Sequence, residues 1–190
     1  MNILILGPQG AGKGTQAKRI AEEYGIAHIA TGDMLRASLA DGDPLGVKRI
    51  LDQGLLVPDD VMVELIRSRL AEPDAEDGFV LDGFPRTMAQ AEALDATLRE
   101  IDRPLDLVLE LRVPDEVAVE RLRRRAELEG RPDDTPEAIR RRLRLYHEET
   151  EPLVEYYRSR GNVVGIHGDR SENAVFAEIQ QALEQAGAVA

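Results

Sequence analysis

The sequence predicts an α/β fold in which a parallel sheet is covered by helices. Short, β-prone runs alternate with longer stretches of helical periodicity. The runs are mostly apolar, as expected where helices cover both faces of a sheet. A chain of 190 residues with 43% hydrophobic content can bury one substantial core but not two large ones. One domain carrying insertions is therefore expected, with right-handed crossovers and ligands at the carboxyl ends of the strands.

Taken in order, the run NILIL (Asn2–Leu6) reads as the first strand, and a helix follows over 13–24. The second strand is expected at 28–30. Helices over 33–40, 44–53 and 59–71 come next with no strand among them, so the stretch from about 31 to 61 is a candidate insertion. A third strand at 79–81 leads into a helix over 87–99, and a fourth at 105–111 into one over 114–126, with Pro114 suited to its first turn. The polar segment LEGRPDD at 128–134 is a second candidate insertion. Thr135 is a capping residue, Pro136 opens a long helix over 136–160, and Gly161 closes it. A fifth strand at 163–166 and a helix over 171–186 complete the pattern.

Charge and composition exclude several functions. The formal net charge is −12, which repels nucleic acid and anionic membranes at long range. Aromatic content of 4% leaves few platforms for base stacking. There is no cysteine, so neither disulfides nor thiolate metal sites can form. No stretch approaches membrane-spanning length, and MNILILGPQG lacks the basic start and long apolar segment of a signal peptide, so a cytoplasmic location is expected. One segment departs from the acidic average: between Arg121 and Arg144 nine arginines face five acids, Glu127, Glu129, Asp133, Asp134 and Glu137. This could be a polyphosphate site or a solvated, salt-bridged helix surface. His28, His147 and His167 share no ligand spacing, and Tyr146, Tyr156 and Tyr157 read as packing residues.

The chemistry concentrates in GPQGAGKGT, residues 7 to 15, placed between the first strand and the first helix. That is the context of a Walker A loop. Glycines let backbone N–H groups turn towards phosphates, and the helix N-terminus adds positive potential. The fold prediction thereby narrows to a P-loop NTPase-type sheet. Lys13 is one of only three lysines against 21 arginines, which suggests a need for a compact, flexible charge. The motif departs from GxxxxGK[ST] because Gly14 precedes Thr15. A second element, FVLDGFPR, ends an apolar strand in Asp82, a Walker B-like acid able to engage magnesium directly or through water.

Five segments in order, GPQGAGKGTQ, TGDMLR at 31–36, LVPD at 56–59, DGFPRT at 82–87 and GRPDD at 130–134, closely resemble the adenylate kinase family. The resemblance spans nearly the whole chain. It implies a single P-loop kinase domain over 1–190, with a helical AMP-binding flap at 30–59 and a short lid at 124–134. Gly10, Ala11, Gly12, Lys13, Gly14 and Thr15 would bind the ATP phosphates, with Arg121 and Arg125 facing ATP. Arg170 is also implied on the ATP side, at a position where relatives usually offer a glycine-like backbone contact to the ATP base. Thr31 and Arg36 would bind AMP, the turn Val57, Pro58 and Asp59 would meet its adenine, and Gly83, Phe84, Pro85 and Arg86 would line its phosphate. Gln90 would read the adenine edge, and Arg131 and Arg142 would cross the phosphates being exchanged. Lys13, Arg86, Arg125, Arg131 and Arg142 form the implied catalytic set, and Asp82 the metal contact.

The implied reaction is ATP + AMP to 2 ADP in both directions, serving adenine nucleotide homeostasis and AMP salvage. Magnesium would arrive with ATP. No zinc is expected, because 124–134 holds neither cysteine nor histidine. The implied partners are ATP, AMP and ADP alone, with no nucleic acid or membrane, and the protein is expected to be a monomer. A uridylate or cytidylate kinase would share the loop and FPR, but Thr31 and Gln90 favour AMP. A guanine-nucleotide switch would need an NKxD motif, which the three asparagines do not supply.

Overall fold

β1 (Asn2–Leu6) is buried on both faces, and the sheet is built outward from it. The structure, a computed structural model, describes residues 1–130 and 134–187. β1 leads through α1 (Lys13–Tyr24) to β2 (Ala27–Ala30), then α2 (Thr31–Ala40), α3 (Lys48–Asp52) and α4 (Asp59–Leu70). A 3₁₀ turn (Pro73–Ala75) precedes β3 (Phe79–Asp82) and α5 (Met88–Glu100). β4 (Leu107–Arg112), α6 (Asp115–Glu129), α7 (Pro136–Leu145), a π-helical turn (Tyr146–Thr150), α8 (Pro152–Arg158), β5 (Val163–His167) and α9 (Glu172–Gln185) follow. The strand order is β2-β3-β1-β4-β5, and every neighbouring pair is parallel.

This is the α/β, parallel, helix-covered sheet that the alternation predicts. Strand side chains alternate between faces. Ile3 and Ile5 join Val80, Leu107 and Leu109 beneath α1 and α9. Leu4 and Leu6 pack with Ile29, Leu81 and Val108 against α4, α5 and α8. A smaller cluster of Ala118, Leu122, Ile139 and Leu143 pins α6 to α7, the two arginine-rich helices. Burial of each leucine there contributes about 1.5–3 kcal/mol.

Several expected boundaries move, each for a local reason. The helix expected over 136–160 is broken into α7, the π turn and α8. Pro152 has no N–H to donate, and its ring would crowd the carbonyl four residues back, so the chain widens by one residue and Glu151 N–H bonds Tyr146 O at 2.8 Å. The helix expected over 44–53 shortens to α3. Asp43 takes a left-handed conformation (φ 58°), and its carboxylate accepts from Val47 N–H at 2.8 Å and Lys48 N–H at 3.2 Å, setting the start of the helix. α6 runs three residues beyond the expected end, through Glu129, and Gly130 closes it at φ 59°. The expected N-cap is present, Thr135 Oγ1 accepting from Ala138 N–H at 3.2 Å, but Gly161 (φ 92°) is not the closing residue: α8 ends at Arg158 with Ser159 as its cap, and Gly161 turns the chain beyond it.

Candidate active site

The phosphate loop hangs from the carboxyl end of the central strand. Gly7 (φ 142°) and Gly10 (φ 84°) are required by space as well as by conformation: a Cβ would stand 2.6 Å from Leu111 O in the first case and 2.5 Å from Ala118 O in the second. β4 and α6 therefore set how tightly the loop can curl. Gly12 (φ 93°) caps α1, and no side chain occupies that cap. The first N–H groups of the helix are thus left for an anion.

Lys13 Nζ folds back onto the loop, donating to Gly7 O at 2.8 Å and Pro8 O at 2.9 Å. Burial lowers its pKa from 10.5 to about 8, with Asp82 opposing and Arg86 and Arg125 adding to the effect. The unfolded chain therefore holds a proton that the folded chain sheds between about pH 8 and 10.5. Lys13 adds stability as pH rises through that window and loses it as pH falls through 8. A polyphosphate bound beside Lys13 would supply a counter-charge. Calorimetric titration with a nucleoside triphosphate between pH 8 and 9, in buffers of different ionisation enthalpy, should show uptake of up to about one proton. Lys13→Met should abolish it.

Asp82 ends β3, in register with Ile5 of β1 and Ala30 of β2. Among the described residues no side chain is hydrogen-bonded to its carboxylate. Gly14 lies against it, since a Cβ there would stand 3.4 Å from Asp82 Oδ2. The departure from the Walker A pattern thus falls at the position facing the acid. Thr15 is exposed in the first turn of α1.

The other wall is the turn after β3. Gly83 (φ 84°) has Thr31 so close that a Cβ would stand 2.5 Å from its Oγ1, and Thr31 Oγ1 donates to Asp82 O at 3.2 Å. Phe84 and Pro85 are buried. Arg86 Nε donates to Gly83 O at 2.8 Å, and Thr150 Oγ1 to Arg86 O at 2.8 Å. Burial lowers the Arg86 pKa, Asp82 opposing, with Arg142 and Arg36 adding to the effect. It remains charged, as arginines do in proteins. Lys13 and Arg86 line one cleft with Gly7, Gln9 and Pro85. Arg36 pairs with Asp33 and lies over Gly32.

Arg125 and Arg142 meet on one buried carboxylate. Arg125 donates to Asp134 through Nε at 2.8 Å and Nη2 at 2.9 Å, and Arg142 Nη1 donates to Oδ1 at 2.6 Å. The Asp134 side chain is fully buried. Arg142 also reaches Leu51 O at 3.3 Å, and Arg141 donates to Gln53 O at 2.9 Å, so α7 grips the end of α3. Arg121 Nη1 ties the phosphate loop to the β5–α9 turn, donating to Gly168 O at 2.8 Å and Ala11 O at 3.3 Å. Arg131 lies outside the described residues, as do Pro132 and Asp133 of the expected lid.

Val57 is buried, Pro58 caps α4 and Asp59 opens it. Gln90 sits in the first turn of α5, bonded to Arg86 N–H and Asp59. Arg170 is held by Glu178 and His167 O. In that turn it is Gly168 that approaches the phosphate loop, where a Cβ would stand 3.3 Å from Ala11 O. His147 pairs with Asp115 and Glu151, and His167 with Glu178, on exposed surfaces. Sequence reasoning assigns no role to Gly168, Thr87 or Thr150, and treats Asp134 only as one of several acids for arginines to engage. For Asp134 the available signal was its spacing, nine residues after Arg125 and eight before Arg142.

A family model described as Adenylate kinase matches residues 5–162. The chain is 47% identical over 186 residues to an adenylate kinase of Stenotrophomonas maltophilia (strain K279a), covering 97% of this chain and 100% of that protein. It is 48% identical over 185 residues to one of Cyanothece sp. (strain PCC 7425), covering 96% and 95%. It is 44% identical over 214 residues to one of Archaeoglobus fulgidus, covering 97% and 99%.

Proposed function

The chain belongs to the adenylate kinase family and is a phosphotransferase; from that premise we propose that it interconverts ATP + AMP and 2 ADP, with magnesium, in adenine nucleotide homeostasis and AMP salvage. The observation that carries this reading is one basic chamber in an acidic protein. Lys13 at the phosphate loop and Arg86 on the opposite wall line the same cleft, and each electrostatically feels further arginines, Arg125 in one case and Arg36 and Arg142 in the other. The phosphates of two substrates would meet between these two walls.

Phosphoryl transfer needs little covalent work from the protein, so the residues act by in-line positioning and by offsetting negative charge. Residues 10–15 hold the ATP phosphates, with Lys13 on the group in flight. Arg121 anchors the ATP-side loops. Arg36, Arg86 and the 83–86 turn hold the AMP phosphate, and Thr31, Val57 and Gln90 its base. Arg125, Arg142 and Arg131 cover the phosphates. The segments 30–59 and 124–134 act as covers that exclude water, which protects ATP from hydrolysis. The bonds of Arg141 and Arg142 to the end of α3 support contact between the first cover and α7, the helix that follows the second.

Asp82 suits a magnesium ion brought by the nucleotide. Among the described residues no group of three or more His, Cys, Asp or Glu is placed to hold a metal, and one free carboxylate beside Gly14 fits an ion that arrives with phosphate and water ligands. When bound, magnesium would neutralise charge on the phosphate oxygens. No described helix is long and apolar enough to cross a membrane, and the protein is proposed to work as a cytoplasmic monomer.

Purified protein incubated with ADP and magnesium should yield ATP and AMP in equal amounts, and no disproportionation would overturn the reading. Excess EDTA should abolish transfer, magnesium alone should restore it, and the apo melting temperature should not move. A drop in that temperature on chelation would reveal a structural metal instead.

A further inference from the structure

The Gln90 amide is buried, with the residue 2% exposed, and it is held at both ends. Oε1 accepts from Arg86 N–H at 2.8 Å, and Nε2 donates to Asp59 Oδ1 at 2.8 Å. A backbone N–H can only donate and a carboxylate can only accept, so the amide has one permitted orientation. Turned by 180°, it would set N–H against N–H and oxygen against carboxylate. The Thr87 hydroxyl donates to the same Asp59 Oδ1 at 3.0 Å and accepts from Gln90 N–H at 3.3 Å, which steadies the arrangement. An amide carries two N–H groups and two lone pairs, so each end keeps one for a ligand.

We propose that Asp59 is a positioning residue for base choice: by fixing the polarity of the Gln90 amide, it makes the monophosphate site accept a base with an amino group beside a ring-nitrogen acceptor and reject 6-oxo purines. The inference rests on the reading of Gln90 as the adenine-reading side chain. Adenine offers its amino N–H to the free lone pair and a ring nitrogen to the free N–H. Hypoxanthine puts an oxygen where the amino group stands, and its neighbouring N1 carries hydrogen, so donor and acceptor are exchanged. The site could match that edge only by turning the amide over, and Asp59 opposes the turn. Asp59 opens α4 at the end of the proposed AMP flap, so base choice is tied to the placement of that segment.

Asp59→Asn tests this without changing side-chain shape, because asparagine can donate or accept and lifts one of the two restraints on the orientation, leaving Arg86 N–H as the other. Initial rates with AMP and inosine monophosphate should show the ratio of their kcat/KM values falling roughly tenfold, through a gain with the inosine nucleotide. Thr87→Val leaves the carboxylate-to-amide bond in place and should hold the ratio within about twofold. An unchanged ratio in Asp59→Asn, or equal losses with both nucleotides, would overturn the proposal. Should Asp59→Asn fail to fold, Asp59→Ser would be read by the same ratio. The underlying reading fails separately, if wild type does not prefer AMP or if Gln90→Leu leaves its preference intact.

Discussion

Lys13→Met should lower turnover by roughly 10²-fold or more, the cost of losing a preorganised charge on the reacting group. Methionine keeps the apolar stem and loses only the ammonium that bridges Gly7 O and Pro8 O. The fold should therefore survive, its core lying beneath the loop and not within it. Turnover at saturating nucleotide, measured beside a melting curve, checks both parts. A folded variant with near-normal turnover would remove the loop from the mechanism.

The second large effect is expected at Asp134. Its fully buried carboxylate holds Arg125, which is 29% exposed, and Arg142, which is 10% exposed. Removing a fully buried carboxylate that holds two guanidinium groups costs up to about 3–5 kcal/mol. For a chain of this size, Asp134→Ala should lower the melting temperature by roughly 6–20 °C. Turnover should fall as well, since the two guanidinium groups would repel each other. A melting temperature within about 2 °C of wild type would show that the pairing contributes little.

The strands are legible in the sequence because helices cover both sheet faces and leave uninterrupted apolar runs. The helix boundaries are legible only where a single residue sets them. Thr135 does so, whereas the break at Tyr146–Thr150 depends on how the chain accommodates Pro152. The shortened α3 depends on a left-handed turn at Asp43 that periodicity does not register.

The phosphate loop is legible because its glycines are demanded locally. That Gly10 must also clear Ala118 O is a long-range fact. In the basic segment, composition shows an excess of arginine but not which acid lies buried between α6 and α7. Asp134 becomes distinct from the exposed Glu127 and Glu137 only when the cluster around Leu122 and Leu143 brings the helices together. Likewise, the turn after β5 reaches the phosphate loop through Gly168, two residues before Arg170. A register this short depends on where the strand ends.

The central position of β1 also orders the birth of the site. β1 is flanked by β3 and β4, so one edge of its backbone stays unpaired until β4 has been made. About a hundred residues separate the end of β1 from the end of β4, on the order of ten seconds of synthesis. During that interval the glycine-rich segment has no Leu111 or Ala118 to curl against. It leaves the ribosome well before those neighbours exist, so the packed shape of the loop waits on β4 and the start of α6.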